Sequence, residues 1–315
     1  MRSLVFLLII SFLFAFDEAS YLKIEPSVRI ASLGEVGVAS ARGISEVFLN
    51  PAGLSKIKHM SFCGNYMNWW KGIGYGFAGF SFRRLKDGKS SENSFGFSIL
   101  GVNVEGIEKR NADGELLGTY GSSNYAFSIT YSRVLFEGIM GGFNVKYLYE
   151  NIDGNTAYGY AMDFGLLYWI ENLYGFGLSF RNIGPGLQSG SKKVLSKTDF
   201  SPPMEMRIGG SYIYPTRIGS LVSNADLILS LTGNPAAIGF GIEFDIRENI
   251  YLRGGVKKAF GDKVIENGKY EKLSENTLSY GIGAGLREGP MSLDFAFCSR
   301  NEIIKPYRIG LTIEF

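Results

Sequence analysis

The chain has 315 residues, with 32 lysines and arginines against 30 aspartates and glutamates, 42 glycines and 14% aromatic residues. The charges nearly balance, and the sequence has no basic stripe that would follow a phosphate backbone. Nothing therefore indicates nucleic-acid binding. The two cysteines, Cys63 and Cys298, lie far apart, and His59 is the only histidine. A disulfide framework, a zinc site and a nucleophile–base pair therefore lack their usual parts. We predict that the protein is not an enzyme and binds no cofactor.

The first 20 residues have the pattern of a secretory signal peptide. Arg2 supplies the positive end, Leu4 to Phe16 form the apolar core, and a polar stretch follows. We predict residues 1–20 as the signal, with cleavage in 15–20; the alternative is a short uncleaved anchor. The apolar run is too short for a membrane-spanning helix, which needs about 20 apolar residues.

Residues 59–315 alternate between apolar and polar side chains, which is the pattern of β-strands with one apolar face. In 238–247, for example, isoleucine and phenylalanine occupy one face, and glycine and charged residues occupy the other. A one-residue slip would place charges on the apolar face, at about 2–4 kcal/mol for a basic residue in mid-bilayer. Fourteen segments follow this pattern: 59–70, 72–84, 92–104, 122–134, 138–151, 156–169, 173–183, 203–214, 224–232, 236–247, 249–260, 275–287, 290–300 and 305–315.

The lengths of the connections between these segments distinguish a membrane barrel from a soluble β-sandwich, whose strands also alternate apolar and polar residues. Long connections are predicted near 105–121, 184–202 and 261–274, and tight turns near 136–137, 171–172, 248–249 and 288–289. Long and short loops then fall mostly on opposite ends, as in outer-membrane barrels with periplasmic termini. The short connections at 70–71 and 233–234 and the longer one at 85–91 depart from this rule. With the signal peptide, the pattern predicts an all-β protein, a transmembrane antiparallel barrel of about fourteen strands in the outer membrane.

Charged residues on the polar faces are predicted to point into the lumen of this barrel. Because these residues include both positive and negative charges, we expect them to form ion pairs across strands that stabilise the barrel wall. The alternative is a selectivity or substrate site. The predicted lumen charges are Lys146, Asp163, Arg181, Arg207, Glu243, Asp245, Arg247, Arg287, Asp294 and Arg308.

Two glycine patterns invite a different interpretation. The stretch 74–79 matches the Gly-x-Gly-x-x-Gly pattern of dinucleotide sites, but no helix pattern or acidic residue follows at the required distance. We therefore predict that Gly74, Gly76 and Gly79 are small lumen-facing positions of the second strand. The same interpretation applies to the glycines of 281–285.

The third strand changes phase near Gly101. Its apolar positions run through Phe97 and Ile99 and then shift by one to Val102 and Val104. A β-bulge at Gly101 would produce this change, because glycine tolerates the backbone that a bulge requires. The alternative is that the strand leaves the membrane near Leu100, where alternation no longer matters.

The segment 21–58 does not alternate with period two. Pro51 disfavours a helical conformation at Asn50, so a helix before it should stop there, and Ala52-Gly53 should turn the chain before Leu54. These residues predict a compact segment, closed by a turn, before the first strand.

Two motifs in this segment resemble the N-terminal signature of the long-chain fatty acid transporter (FadL) superfamily. Within that superfamily, they most resemble the PorV/PorQ-type branch. They are the run 33–39, Leu-Gly-x-x-Gly-Val-Ala, and the run 50–54, Asn-Pro-Ala-Gly-Leu. The resemblance implies a fourteen-stranded barrel, 59–315, with 21–58 folded into its lumen as a plug. It also implies that a kink at Gly101 opens the wall sideways, and that Phe315 is the signal read by barrel assembly machinery. One departure is the stretch 41–46, where relatives often carry acidic residues.

The resemblance to fatty acid transporters implies passive passage of a hydrophobic small molecule across the outer membrane. The resemblance to the PorV-type branch implies instead a secretion component that binds exported proteins, and a mainly structural barrel is the third possibility. The expected partners are outer-membrane lipid, the barrel assembly machinery, and either a hydrophobic ligand or secreted proteins.

Overall fold

The computed structural model describes residues 19–70, 73–86, 89–189, 201–232, 235–260, 263–266, 269–272, 278–299 and 306–315. The predicted signal peptide therefore lies outside the described residues as far as residue 18. The same holds for Lys71, Gly233 and Asn234, which were predicted as turn residues. In the described part of the chain, no helix is long and apolar enough to cross a membrane.

Most of the described chain is β-strand. In chain order the strands are β1 (Met60–Trp70), β2 (Ile73–Lys86), β3 (Lys89–Arg110), β4 (Leu116–Phe136), β5 (Ile139–Ile152), β6 (Asn155–Ile170), β7 (Tyr174–Ile183), β8 (Gln188–Ser189), β9 (Glu205–Thr216), β10 (Gly219–Ser230), β11 (Ala236–Ile246), β12 (Ile250–Phe260), β13 (Lys263–Glu266), β14 (Lys269–Lys272), β15 (Leu278–Glu288), β16 (Met291–Ser299) and β17 (Tyr307–Glu314).

The strands close into one antiparallel barrel. β13 and β14 form a separate hairpin, and β8 adds two residues beside β6. The other fourteen strands pair in sequence, and β1 also pairs with β17, which completes the circle. The prediction of a fourteen-stranded antiparallel barrel is thus confirmed.

Strand limits differ from the predicted ones mainly at polar ends. β3 continues to Arg110 and β4 begins at Leu116, so most of the predicted loop 105–121 is a protruding hairpin. Likewise, β2 runs to Lys86 and β3 begins at Lys89, which removes the unexpectedly long connection at 85–91. Alternation marks only the part of a strand that faces an apolar environment, so polar extensions give no such signal.

The outer surface of the barrel is apolar. On β11, Phe240 is 47% exposed on the outside, whereas Glu243 is 1% exposed on the inside. Leucine, isoleucine, phenylalanine and tyrosine are exposed in the same way on strands around the barrel. Such an apolar band suits a lipid surface rather than water.

Phe315 lies at the seam where the barrel closes. The Phe315 nitrogen donates to the Met60 carbonyl oxygen at 2.8 Å, and the Met60 nitrogen donates to the Phe315 carbonyl oxygen at 3.2 Å. We expect deletion of Phe315 to lower the yield of assembled barrel, because this hydrogen-bond pair and the terminal aromatic side chain are both lost. Heat-dependent gel mobility measures that yield, with Asp113→Ala in the exposed β3–β4 turn as the control. Equal yields from the two variants would remove any assembly role of Phe315.

The two cysteines are free thiols, as predicted. β17 lies between β1 and β16, so the strands that carry the cysteines are about 10 Å apart from strand spacing alone. Along the strands they are also displaced, because Cys63 lies opposite Thr312, which in turn lies opposite Ser292 and not Cys298.

Residues 19–58 lie inside the barrel and contact the inward sides of strands around it. This segment contains one α-helix, α1 (Val28–Ser32), and three short 3-10 helices. One 3-10 helix precedes α1, at Ser20–Lys23, and two follow it, at Ile44–Glu46 and Pro51–Lys56. Ser27 caps α1, since its Oγ accepts a hydrogen bond from the Ile30 nitrogen at 3.2 Å. We call residues 19–58 the plug segment below.

Candidate functional site: the lumen and its plug segment

The Asn50-Pro51 turn rests on two glycines of the barrel wall. Gly142 of β5 and Gly165 of β6 lie directly opposite each other in the strand pairing. A Cβ atom on Gly165 would lie 2.0 Å from the Asn50 Oδ1 atom, and one on Gly142 would lie 2.6 Å from the Ala52 nitrogen. Glycine at both positions therefore allows the turn to approach the wall this closely.

The Asn50 side chain joins the plug segment to two strands. Its Nδ2 donates to the carbonyl oxygens of Val38 at 3.0 Å, Leu166 at 3.2 Å and Leu178 at 3.5 Å. Its Oδ1 accepts from the Ala52 nitrogen at 3.1 Å, which caps the helix that begins at Pro51. Asn50 is thus a structural anchor, and its buried polar atoms are paired.

The rest of the 50–54 motif packs the plug segment against itself. A Cβ atom on Gly53 would lie 2.7 Å from the Ala41 carbonyl carbon, so glycine allows two parts of the segment to touch. The Gly53 carbonyl oxygen accepts from the Gly43 nitrogen at 3.2 Å. Leu54 is fully buried among apolar side chains of the plug segment and of β1–β6.

Lumen-facing glycines also receive the plug segment elsewhere. Added Cβ atoms would overlap Val38 at Gly177 and Gly209, Leu33 at Gly241 and Gly255, Ala31 at Gly281 and Ser32 at Gly283. The interpretation of 281–285 as lumen-facing is confirmed by their burial and contacts. For β2 the prediction was wrong in part, because Tyr75 and Phe77 face inward while Gly74 and Gly76 face outward.

Glu243 of β11 lies at the centre of buried ion pairs between wall and plug segment. Its carboxylate oxygens are 2.8 Å from Arg29 Nε, 3.3 Å from Arg42 Nη2 and 2.6 Å from Arg253 Nε. Glu46 pairs with the other side of Arg29 at 3.2 Å. Buried charges are costly unless paired, so these contacts hold α1 against β11 and β12.

A second polar group holds the following turn against β9 and β10. Asp226 accepts from the backbone nitrogens of Gly37 at 2.8 Å and Val38 at 3.0 Å. Arg207 donates to the Glu35 carbonyl oxygen at 2.7 Å. Wall side chains thus bind both N–H and carbonyl groups of the plug backbone, which fixes the turn without any covalent link.

Six of the predicted lumen charges are buried inside: Lys146, Asp163, Arg181, Arg207, Glu243 and Arg308. Three others are half-buried near them: Asp245, Arg287 and Asp294. Ion pairs between strands hold several of these charges. Lys146–Asp163 at 2.7 Å and Arg181–Glu205 at 2.9 Å join neighbouring strands, and Arg287–Glu314 at 3.1 Å joins β15 to β17 across β16. Arg308 donates to the Glu25 carbonyl oxygen of the plug segment.

Arg247 is not in the lumen, so that prediction was wrong. β11 ends at Ile246, and Arg247 follows in an exposed turn with a φ of 54°. The turn reverses the chain before the alternation could place this side chain inward.

Sequence reasoning missed several of the charges that matter most. Arg253 and Asp226 lie on the polar faces of predicted strands, so the same alternation could have identified them. Arg29 and Glu46 belong to the plug segment, where no periodic pattern indicates which side chains point to the wall.

Part of the lumen beside β1–β6 is apolar, although the buried Lys146–Asp163 pair lies on β5 and β6. Tyr75, Phe77, Leu100 and Val102 face inward, opposite to the usual arrangement of a membrane barrel. They form one cluster with inward side chains of the neighbouring strands and with the plug segment: Met67, Ala126, Leu148, Ala161, Tyr21, Leu22, Ile24, Phe48 and Leu54. We call the part of this cluster contributed by the strands the apolar lumen pocket.

The apolar lumen pocket explains the phase change in β3. Pairing of β3 with β2 and β4 is continuous through Gly101, so the predicted bulge at that residue is wrong. The shift of register lies further along, between Val104 and Ile107, where Gly106 has a φ of 72°. The strand keeps its register, and its inward-facing positions become apolar at this point because the inside of the barrel is apolar there. The apolar positions in the sequence therefore shift by one residue.

The beginning of the plug segment occupies this pocket. The Tyr21 hydroxyl donates to the Tyr125 carbonyl oxygen at 2.9 Å, and the Tyr75 hydroxyl donates to the Ile24 carbonyl oxygen at 2.7 Å. Leu22 lies between these two anchors and is 1% exposed. The pocket is therefore filled by a short segment held by two hydrogen bonds and apolar contact.

Lys56 lies near the end of the plug segment, beside Trp169 of β6. Its Nζ lies 4.3 Å from the centre of the Trp169 ring, in the geometry of a cation–π contact. Burial, together with the positive charges of Arg42 and Arg29, lowers the pKa of Lys56 to about 7.

The described residues contain no group of histidine, cysteine, aspartate and glutamate side chains that could hold a metal ion. The contacts described above in the lumen are apolar contacts, hydrogen bonds and ion pairs. Such a lumen can bind and guide a ligand, and none of the arrangements above pairs a nucleophile with a base.

Known structures share this architecture. No family model matches the chain, and no curated protein matches it. Among solved structures, it is similar to the Pseudomonas putida toluene transporter TodX, at 12% identity over 94% of this chain and 97% of that chain, with a TM-score of 0.62. It is also similar to the Ralstonia pickettii toluene transporter TbuX, at 14% identity over 93% and 98%, with a TM-score of 0.59. A Pseudomonas aeruginosa FadL homologue matches at 10% identity over 92% and 98%, with a TM-score of 0.59. The chain therefore has the fold of these transporters over nearly its whole length.

Proposed function

We propose that this barrel lies in the outer membrane and lets an uncharged hydrophobic small molecule diffuse across it. The observation that carries the proposal is the apolar lumen pocket, where Tyr75, Phe77, Leu100 and Val102 turn inward. Apolar and aromatic side chains with few polar groups are the usual lining of a binding site for such ligands. Solved structures with the same fold include toluene transporters and a monoaromatic hydrocarbon channel.

The plug segment determines which half of the lumen a ligand can pass through. Ion pairs around Glu243 and hydrogen bonds of Asp226 hold it against β9–β12, which closes that half of the lumen. On the β1–β6 side, the short segment from Tyr21 to Ile24 is held by two hydrogen bonds and apolar contact without an ion pair, so this side can exchange it for a ligand. A ligand would therefore enter from the end of the barrel away from Phe315 and travel beside β1–β6.

A secretion component of the PorV type remains an alternative prediction from the sequence motifs. No feature of the described loops favours a bound exported protein. Passage of a small molecule accounts for the apolar residues inside the wall, which a protein-binding barrel would not need.

The test is the entry of 1-N-phenylnaphthylamine into intact cells that produce the barrel, followed by its fluorescence. Val102→Asn places an amide in the pocket, and an unpaired amide in apolar surroundings costs about 1–3 kcal/mol. We expect the barrel-dependent rate to fall about tenfold, as such a cost implies for binding. Leu117→Asn is the control, because Leu117 is 61% exposed on the protruding β3–β4 hairpin.

Heat-dependent gel mobility keeps the comparison to equal amounts of assembled barrel. An unchanged rate in assembled Val102→Asn barrel would contradict passage through the pocket, as would absence of any barrel-dependent entry in the parent protein.

A further inference from the structure

One row of side chains on the outer surface of the barrel is aromatic. Its members lie directly opposite one another in successive strand pairs from β2 to β7: Phe82, Phe95, Tyr131, Phe143, Phe164 and Phe180. Neighbouring rings touch, with centroids 5.5 Å apart for Phe82–Phe95 and 5.3 Å apart for Phe95–Tyr131. We call this set the aromatic row. It lies towards the end of the barrel that carries Phe315, because Phe82 is paired with Met60, which bonds Phe315.

Arg84 borders the aromatic row at this end. On β2, Arg83 points inward and donates to the Ile57 carbonyl oxygen of the plug segment at 3.2 Å, and Arg84 follows it in an exposed position. The Arg84 side chain makes no ion pair or hydrogen bond with any residue that the structure describes. An unpaired cation therefore lies beside Phe82.

Arg133 lies on the same border of the aromatic row, next to Tyr131 on β4. β3 separates β4 from β2, so the strands that carry the two arginines are about 10 Å apart. Arg133 is 49% exposed, and its ion pair with Glu92, which is 61% exposed, is a weak surface contact. The two guanidinium groups can therefore share one anionic group between them.

An apolar recess lies on the other side of the aromatic row, and we call it the first outer recess. Its volume is about 830 Å³, and among the described residues no charged side chain lines it. Its lining includes Ala78, Phe80, Phe97, Ile99, Phe127 and Ile129. The plug segment supports the wall behind it, because a Cβ atom on Gly79 would lie 2.6 Å from Ile44 Cγ1 and one on Gly96 would lie 2.7 Å from Ile44 Cδ1. The first outer recess is thus a fixed feature of the wall.

A second outer recess, of about 570 Å³, includes Arg133 itself. Apolar side chains of β4 to β7 form most of its lining: Leu135, Phe143, Phe164, Leu166, Leu178 and Phe180. Gly141, which lies opposite Arg133 in the strand pairing, also lines it and adds no side chain that would fill the space. A cation thus stands directly beside an apolar hollow on the outside of the barrel.

The spacing along β2 matches the depth of one lipid leaflet. Arg84 and Ala78 are six residues apart, which is about 20 Å along a strand. With strands tilted by about 35–45°, this length corresponds to about 15 Å along the membrane normal. That depth is half of a hydrocarbon core of about 30 Å. A lipid with its phosphate at Arg84 would therefore have its chain end near Ala78.

We propose that this surface binds an anionic phospholipid of the periplasmic leaflet, with its phosphate between Arg84 and Arg133 and its acyl chains in the two outer recesses. A phosphate is the charge complement of two guanidinium groups. Arg133 lies near the two-residue turn between β4 and β5, and short turns are periplasmic in such barrels. The inference takes only the membrane location from the proposed function, and it does not depend on passage through the lumen.

The first test is native mass spectrometry of the purified barrel titrated with dioleoylphosphatidylglycerol. Arg84→Gln and Arg133→Gln should weaken binding about fivefold alone and about 25-fold together, as expected for basic residues beside an anionic lipid. Arg217→Gln is the matched control and should bind like the parent, because Arg217 is exposed in the β9–β10 turn at the same end of the barrel. Heat-dependent gel mobility shows that each variant is assembled.

Four outcomes of this titration would overturn the site. The first is equal affinity of the double arginine variant and the control, and the second is equal affinity for the zwitterionic dioleoylphosphatidylcholine. The third is displacement of the lipid by sn-glycerol 3-phosphate at equal concentration, because the arginines would then bind phosphate without the recesses. The fourth is a barrel dimer that the lipid does not dissociate, since a second copy of the chain would then cover this surface.

Filling the first outer recess tests the place of the acyl chains. Ala78→Phe should weaken binding of dioleoylphosphatidylglycerol about threefold, which corresponds to the loss of a few dispersion contacts. Ala284→Phe is the matched control, because Ala284 is exposed on the outer face of β15 and lines neither recess. Equal affinities of the two variants would overturn the placement of the chains.

A measurement in bilayers reads the same site without detergent. A phosphatidylglycerol with a diazirine at the end of one acyl chain, incorporated in phosphatidylcholine vesicles, should label β2–β4 about fivefold more than β15–β16, the preference expected from one cation alone. The double variant Arg84→Gln with Arg133→Gln should lose this preference. Even labelling around the parent barrel would overturn the site, whereas entry of 1-N-phenylnaphthylamine into cells reports on the proposed function separately.

Discussion

Replacing Gly165 with valine is expected to unseat the Asn50-Pro51 turn from the wall. The added Cβ would lie 2.0 Å from Asn50 Oδ1 and 2.9 Å from Pro51 Cδ, both of which are backed by the plug segment. Overpacking of this kind costs about 1–3 kcal/mol, and here it also breaks the hydrogen bonds of Asn50 to Leu166 and Leu178. We therefore expect a lower free energy of unfolding in urea and a rise in single-channel ion conductance in planar bilayers.

Gly64→Val is the matched control for this change. Gly64 is a β1 glycine on the outer face, where an added Cβ meets no atom within 4 Å. Its substitution should leave both the free energy of unfolding and the conductance as in the parent barrel. Equal conductance in the two variants would show that the turn is not what closes this part of the lumen.

Replacing Glu243 with glutamine is expected to have the largest effect on stability. The change keeps the shape of the side chain but leaves Arg29, Arg42 and Arg253 without their shared carboxylate. Removing one partner from a buried ion pair costs about 3–5 kcal/mol. Here Arg29 keeps Glu46 and Arg253 keeps Asp294, but the carboxylate that all three arginines share is lost. Urea unfolding in lipid vesicles measures the loss, and trypsin cleavage within the plug segment measures its release.

An exposed ion pair provides the comparison. Glu92 pairs with Arg133 at 2.8 Å, and the two side chains are 61% and 49% exposed. Such surface pairs contribute about 0–1 kcal/mol, so Glu92→Gln should change the free energy of unfolding little. Similar small losses for Glu92→Gln and Glu243→Gln would mean that the central ion pairs do not hold the plug segment.

The sequence by itself determined the barrel and its strand count. In β11 and β17 every second residue is apolar, and because strand side chains alternate, this pattern defines two unlike faces without any tertiary contact. Pro51 likewise sets the local turn, since its ring restricts the backbone of Asn50, and the structure shows Asn50 extended with a φ of −151°.

Only the tertiary structure decided which face of β2 and β3 points inward. Alternation separates Tyr75 from Gly76 and Val102 from Gly101, but it cannot say that the lumen is apolar at that height. The partners of the buried charges were equally out of reach, because Arg29 and Glu243 are 214 residues apart and meet only when the barrel closes around the plug segment. In β7 one extra residue lies at Arg181–Asn182, and the buried Lys146–Asp163 pair that neighbouring strands supply binds Asn182 there. Local patterns therefore specify the strands, whereas the apolar lumen pocket and the ion pairs arise from contacts between distant residues.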